Sequence, residues 1–111
     1  MNNSKASSEM EKFQVNWTTL WNEEQFREKT YLQIIKDFSL AGLEINSDKL
    51  KQNKTLEELA AYLEIQISND PRPQLLYIID LKEQQYSNLG FAIVQRIAFK
   101  VYLRLHFSQS H

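Results

Sequence analysis

The 111-residue chain contains no cysteine, which excludes disulfide bonds, thiolate metal sites and cysteine nucleophiles. It has only two glycines and two prolines, too few for a glycine-rich phosphate-binding loop or for a β-sandwich with many tight turns. Its two histidines, His106 and His111, both lie near the end of the sequence, so catalysis or metal binding by a group of histidines is also excluded. We therefore expect no cofactor and no metal.

Long apolar runs are missing as well, since no segment approaches the roughly 20 apolar residues that a membrane-spanning helix needs. The polar first residues lack the apolar stretch of a secretory signal. We therefore expect a cytoplasmic protein without a membrane span. With 42% hydrophobic and 24% charged residues, the composition is typical of one globular domain. We expect a flexible polar tail over residues 1–12 and a single helical domain over residues 13–108.

The charges nearly cancel over the whole chain but are unevenly distributed along it. The formal net charge is −1, which is too balanced for a general polyanion-binding protein. Residues 1–83 contain ten basic and fourteen acidic residues, a net charge of −4, whereas residues 84–111 contain three basic residues and no acidic one, a net charge of +3. The sequence thus predicts a weakly acidic body and a basic final helix.

Aromatic residues four positions apart indicate a helix in the first part of the chain. We predict this helix over residues 13–41, either unbroken or divided by a turn before Asn22, which with Gln25 has the spacing of a capping box. Gly42 then predicts a left-handed helix end. We interpret the aromatic face as the anchor of this segment to the core. That face comprises Phe13, Trp17 and Trp21.

A polar connection over residues 46–54 separates the first helix from the next. Thr55 follows, and Glu58 three residues later completes a second capping box. Leucine and alanine then recur at helical spacing. We predict a helix over residues 55–68.

Two prolines close together, Pro71 and Pro73, form the strongest interruption in the sequence. The apolar run over residues 75–79 fits either a buried strand or a helix by its pattern alone. An isolated strand would leave its backbone groups without hydrogen-bond partners, and no second strand-like segment is present. We therefore favour a short helix over residues 73–80.

The last helix is predicted over residues 83–107. Its start is assigned to Asp80 together with Glu83, or otherwise to Ser87, because these side chains are suitable N-caps. The resulting pattern of helices with short connections predicts an all-α fold, a compact bundle of about four helices.

Thirteen of the nineteen residues from 89 to 107 are apolar, more than a single core-facing stripe needs. Two arrangements explain the excess. Either this helix lies at the centre of the bundle, covered on three sides by its own chain, or one flank contacts another subunit. We favour the second arrangement and expect a homodimer or a complex with another protein. The candidate interface residues are Ile93, Ile97, Phe99, Leu103 and Phe107.

Three basic residues, Arg96, Lys100 and Arg104, fall on one side of the same helix. They are candidate contacts to phosphates or another anionic surface, unless they pair with the acidic body of the chain. No cluster of nucleophile and general base is visible, and no small-molecule ligand is indicated. We expect a small non-catalytic protein that acts through protein–protein association, in particular self-association through the last helix. Binding of nucleic acid or an anionic surface is the alternative.

Overall fold

The computed structural model describes residues 4–69, 73–82 and 86–107. Within these ranges the chain is helical and contains no strand, so the predicted all-α bundle is confirmed. The number of helices and several of their boundaries differ from the prediction. The helices are α1 (Ser4–Leu20), α2 (Glu24–Leu40), α3 (Ser47–Lys51), α4 (Leu56–Asn69), α5 (Pro73–Ile78) and α6 (Leu89–Phe107).

The sequence predicts either one helix over residues 13–41 or two helices divided by a turn. The structure has two helices, and the first of them begins as early as Ser4. Residues 4–12 are therefore helical, whereas residues 1–3 lie outside the described part of the chain. Met10 packs half-buried against the core, so the helix already makes tertiary contacts before its aromatic face begins. That the first twelve residues are flexible stays a prediction.

The turn between α1 and α2 is fixed by a buried tryptophan. Trp21 is buried, and its indole Nε1–H donates a 2.8 Å hydrogen bond to the carbonyl of Lys54. Glu23 occupies the N-cap position of α2 with an extended backbone and makes no side-chain cap bond. The capping box predicted for Asn22 is therefore wrong, because the tryptophan anchor and not a polar cap determines where the chain turns.

The end of α2 has the geometry predicted from Gly42. This glycine has a φ of 84°, the left-handed conformation that costs glycine least. The Leu43 N–H donates to the Phe38 carbonyl at 2.8 Å, and the Gly42 N–H donates to the Ser39 carbonyl at 2.9 Å. These two bonds form a Schellman motif, which satisfies carbonyls that the helix would otherwise leave free.

The polar connection predicted over residues 46–54 contains a short helix, α3. Asn46 caps it, since its side-chain oxygen accepts a 3.0 Å hydrogen bond from the Lys49 N–H. Leu50 is fully buried. The helix in this polar segment thus combines a side-chain cap with one leucine that packs in the core.

The capping box at the start of α4 is confirmed. The Glu58 N–H donates to Thr55 Oγ1 at 3.1 Å, and the Thr55 N–H donates to Glu58 Oε1 at 3.3 Å. This reciprocal pair satisfies two backbone donors at a helix end where no intrahelical acceptor exists.

The apolar run over residues 75–79 is helical as far as Ile78 in α5, as favoured from the sequence, and the strand alternative is wrong. Ile79 lies in the turn that follows. The predicted turn residue Pro71 lies outside the described residues. Asp80 follows the helix with a φ of 65°, and this left-handed conformation stops the helix.

The last helix begins at Leu89 and not near residue 83. Its cap is Asn88, whose Oδ1 accepts a 2.9 Å hydrogen bond from the Phe91 N–H. The starts predicted at Asp80 and Ser87 are therefore wrong, since left-handed Asp80 cannot open a helix and Asn88 takes the capping role. Glu83, the other residue proposed for this start, lies outside the described part of the chain.

The last helix, α6, is the centre of the bundle and packs against α1, α2 and α4, most extensively against α4. Ile93 and Ile97 have no exposed surface, and Phe99 is 5% exposed. The prediction that these three residues form an exposed interface is wrong. The other arrangement considered, a helix covered on three sides by its own chain, is the one observed.

The flank that carries Phe99 is covered by the aromatic face of α1. The Phe13 ring lies 5.3 Å from the Phe99 ring and 5.3 Å from the Tyr102 ring, measured between centroids. Trp17 makes an edge contact with Phe91 at 5.4 Å. The sequence prediction that this face anchors its segment to the core is confirmed. Of the two remaining interface candidates, Leu103 is half-buried, and the side chain of Phe107 lies outside the description.

Candidate functional site

An open groove of about 400 Å³ lies between α2 and α6. Its lining residues recur at intervals of three and four positions on each helix, so each helix presents one face to the groove. The α2 wall consists of Lys29, Leu32, Gln33 and Lys36, and the α6 wall consists of Val101, Arg104 and Leu105.

The floor and one edge of this α2–α6 groove are apolar. Val101 is buried and Leu105 is half-buried, while Leu32 leaves 59% of its surface exposed. A leucine this exposed is unremarkable when isolated, but here it stands beside two further apolar side chains in a concave surface. Such a surface gains free energy when another molecule covers it.

The polar part of the groove carries charge of one sign. Lys29, Lys36 and Arg104 are exposed at its edges, and none of the described residues that line it is acidic. Three cations therefore surround the apolar floor in a chain whose net charge is −1. The electrostatic field of the groove favours an anionic occupant.

A row of four polar side chains crosses the seam between the two helices, and two of them, Gln33 and Arg104, also line the groove. Asp37 is 2% exposed; its Oδ2 accepts a 2.8 Å bond from Lys100 Nζ, and its Oδ1 accepts a 2.8 Å bond from Gln33 Nε2. The Gln33 Oε1 accepts a hydrogen bond from Arg104 Nη1. Because Lys100 meets Asp37 while Arg104 meets Gln33, α2 and α6 run antiparallel.

This polar row holds the groove in shape. A buried carboxylate is costly unless charged and hydrogen-bonded partners compensate it, and Asp37 has both. Among the described residues, no buried side-chain nitrogen or oxygen lacks a hydrogen-bond partner. The row also fixes where the guanidinium of Arg104 lies, at one edge of the groove.

Asp37 and Gln33 were missed in the sequence, although a signal for them exists. Thr30, Gln33 and Asp37 follow one another at spacings of three and four along α2, next to its apolar face, and all three are buried. Polar residues in such a stripe beside a core face indicate a helix–helix seam with internal hydrogen bonds. As long as the position of α6 is unknown, this polar stripe is interpreted as part of the solvent-exposed side of α2.

Each residue predicted to contact anions has an internal partner. Arg96 Nη2 lies 2.7 Å from Asp80 Oδ2, and its Nε–H donates to the Ile79 carbonyl at 3.3 Å. Lys100 pairs with Asp37. Of the three, only Arg104 lines the α2–α6 groove. The structure thus separates the predicted basic row, and direct contact of these residues with an anion stays a prediction.

Two classes of feature are absent from the described residues. They contain no group of three or more acidic or histidine side chains placed to hold a metal ion. None of their helices combines the length and the apolar character needed to cross a bilayer.

Comparisons with protein-family models, with curated protein sequences and with solved structures each find no match to this chain. The assignment of a function therefore rests on the geometry and charge of the α2–α6 groove.

Proposed function

We propose that this protein is a non-catalytic binding module that holds another protein in the α2–α6 groove. The observation that carries the proposal is the exposed Leu32, set in a concave apolar surface whose described lining includes Lys29, Lys36 and Arg104. An apolar centre with a charged rim is the usual composition of a protein–protein interface. A small patch of this kind suits a regulated or transient contact.

The chemistry of the lining supports the non-catalytic part of the proposal. The described lining residues offer ammonium and guanidinium groups, one amide and aliphatic side chains. General acid–base or nucleophilic catalysis needs a nucleophile and a base within hydrogen-bond reach of each other. No such pair is found among these residues.

The surface proposed here differs from the one expected from the sequence. Ile93, Ile97 and Phe99 are buried by the chain's own helices, so self-association through them is not retained. The last helix still contributes to the proposed site, through Val101, Arg104 and Leu105. What changes is which side of that helix faces the partner.

Site-specific photo-crosslinking tests the proposal. A benzophenone amino acid replaces Leu32 in one sample and Val15, which is 77% exposed on α1, in a matched control. After illumination in an extract of cells that make the protein, we expect the position-32 probe to form one discrete adduct with another protein. The control at position 15 should form none. Reversal of charge at both Lys29 and Lys36 should abolish the adduct.

Equal labelling from both positions, or no adduct at either, would contradict a binding role for the groove. An adduct that survives reversal of the two lysine charges would also contradict it, because the proposal depends on the charged rim.

A further inference from the structure

We infer that the segment held in the α2–α6 groove is an acidic amphipathic helix of a different protein. This inference rests on the proposed function and deepens it by naming the chemistry of the partner. The partner helix is inferred to carry an apolar stripe that covers Leu32 and Leu105, and carboxylates on both sides of that stripe.

The shape of the groove favours a helix as the occupant. On the α2 wall the lining extends from Lys29 to Lys36, which at 1.5 Å per residue is about 10 Å, or two helical turns. A groove between two antiparallel helices accepts a third helix whose apolar side chains recur at intervals of three and four. An extended strand would gain much less here, since helical walls present no sheet edge to pair with its backbone groups.

The charges specify the flanks of that helix. Lys29 and Lys36 lie seven residues apart along one wall, and Arg104 lies on the facing wall. Carboxylates on one side of the partner's apolar stripe would meet the two lysines, and a carboxylate on the other side would meet the guanidinium. The pattern is therefore acidic, apolar, acidic across the partner helix.

The same charges argue against a second copy of this chain as the occupant. A two-fold dimer through the groove would place Lys29, Lys36 and Arg104 opposite the identical three cations. Like charges brought together in an interface oppose association. A different, acidic partner removes this repulsion.

Nucleic acid and anionic membranes share the charge of the inferred partner but not its apolar stripe. The centre of the groove is aliphatic, with Leu32, Leu105 and Val101 between the cations. These side chains gain nothing from a phosphate backbone. Three cations alone also give only weak, strongly salt-dependent binding to a polyanion.

Fluorescence anisotropy with a synthetic probe tests the inference. The probe is a fluorescein-labelled helical peptide of about 15 residues, with leucines spaced i, i+3, i+4 and i+7 and glutamates on both flanks. Its control carries glutamine in place of every glutamate. We expect saturable binding of the acidic probe to the wild-type protein and at least tenfold weaker binding of the glutamine control.

Protein variants locate the binding. The double substitution Lys29→Glu/Lys36→Glu should weaken binding of the acidic probe at least tenfold, and so should Leu32→Ser. The matched control Lys49→Glu/Lys54→Glu makes the same charge change at two exposed lysines outside the groove and should alter the affinity less than twofold. Circular dichroism confirms that each variant is folded.

Equal weakening by both lysine pairs would overturn the inference, because binding would then depend on net charge alone. Equal binding of the acidic and glutamine probes, or failure of both to bind, would also overturn it. So would tighter binding of a labelled single-stranded oligonucleotide or of phosphatidylserine-containing vesicles. An adduct of the chain with itself in the crosslinking experiment would overturn it in favour of a second copy.

Failure here remains distinguishable from failure of the proposed function. A discrete crosslink at position 32 together with no binding of the acidic probe would leave the binding module in place and remove only its inferred partner class. Absence of any crosslink would remove the proposed function itself.

Discussion

Gly90, near the start of α6, lies at a point where α6 comes very close to α4. A Cβ atom at this position would lie 2.1 Å from the Ala60 carbonyl oxygen of α4, far inside van der Waals contact. The Gly90 N–H also donates a 2.8 Å hydrogen bond to Oε2 of Glu64, which is likewise on α4. The missing side chain therefore sets the spacing between α4 and α6.

Gly90→Ala should destabilise the protein, although alanine is favoured over glycine in a helix by about 1 kcal/mol. The clash is with backbone, which cannot move aside as a flexible side chain can, and overpacking of this kind costs roughly 1–3 kcal/mol. Urea denaturation of the variant and the wild-type chain measures the difference. An increase in the free energy of unfolding would show that the close approach does not constrain the fold.

Tyr31 gives a prediction for alkaline pH. Burial raises its pKa above the ordinary value of 10.0 despite the opposing effect of Arg27, and Glu28 and Glu58 add smaller contributions in the raising direction. The folded state thus holds the phenol proton more tightly than the unfolded state. The contribution of this group to stability is complete below pH 10 and is lost as the pH rises above it.

We therefore expect Tyr31→Phe to lower stability near neutral pH, through loss of the hydrogen bond to the Asn53 carbonyl, by about 1 kcal/mol. The variant should then lose less of its remaining stability than the wild-type protein does above pH 10. Urea titrations on both sides of that pH measure the two slopes. Equal slopes for the variant and the wild-type protein would contradict the assignment.

Residues whose role depends only on sequence neighbours were the easiest to predict. The Thr55–Glu58 capping box and the left-handed Gly42 are local, and both are observed. The cap predicted at Asn22 was wrong because a tertiary bond from Trp21 to a distant carbonyl decides that turn. The burial of Asp37 could not be predicted from the sequence for a similar reason, since its partner Lys100 is distant in the sequence.

At the scale of elements, the packing of α1 is what most changes the interpretation of α6. Its aromatic face covers the flank of α6 that the sequence alone leaves free, and Phe13 is at the centre of that contact. A periodic pattern predicts that a helix has an apolar face but not which other helix this face covers. That is why the excess apolar surface of α6 was assigned to a second subunit.

Phe13→Ala should destabilise the protein by roughly 3–5 kcal/mol, because it removes a fully buried ring and leaves a cavity beside Phe99. Val15→Ala is the matched control on the same helix, at an exposed position, and should change stability by less than about 0.5 kcal/mol. Thermal or urea unfolding measures both. Similar values for the two variants would mean that α1 does not cover α6.

The seam between α2 and α6 gives a second prediction at this scale. Removing Lys100 alone, as Lys100→Leu, leaves the carboxylate of Asp37 buried without its cation and should cost roughly 3 kcal/mol. Replacing both partners, as Asp37→Leu/Lys100→Leu, should cost less than the single change, since no buried charge remains. The partly exposed pair Lys51–Glu28 is the control, where Lys51→Ala should cost at most about 1 kcal/mol.

Urea titrations of these variants supply the free energies for the comparison. A double variant that is less stable than Lys100→Leu would contradict the account of the seam. It would show that the pair contributes net stability beyond the compensation of one charge by the other.

At the scale of the whole molecule, the all-α class and the positions of the main helices follow from composition and periodicity. The arrangement around α6 does not, because it depends on contacts between segments far apart in the sequence. The basic row of Arg96, Lys100 and Arg104 illustrates the limit. These residues share one side of a helix, as the spacing predicts. The structure nevertheless pairs Arg96 with Asp80 after α5 and the other two with residues of α2, and only Arg104 lines the groove.

The central claim is that α6 is enclosed by its own chain. The part of α6 that still faces outward lies in the cationic α2–α6 groove, which does not suit a second copy of the chain. Light scattering coupled to size exclusion, at high micromolar protein concentration, tests it most directly. We expect the mass of a single chain, 13.2 kDa, at both about 50 and 200 mM salt. A stable dimer at both salt concentrations would contradict the claim.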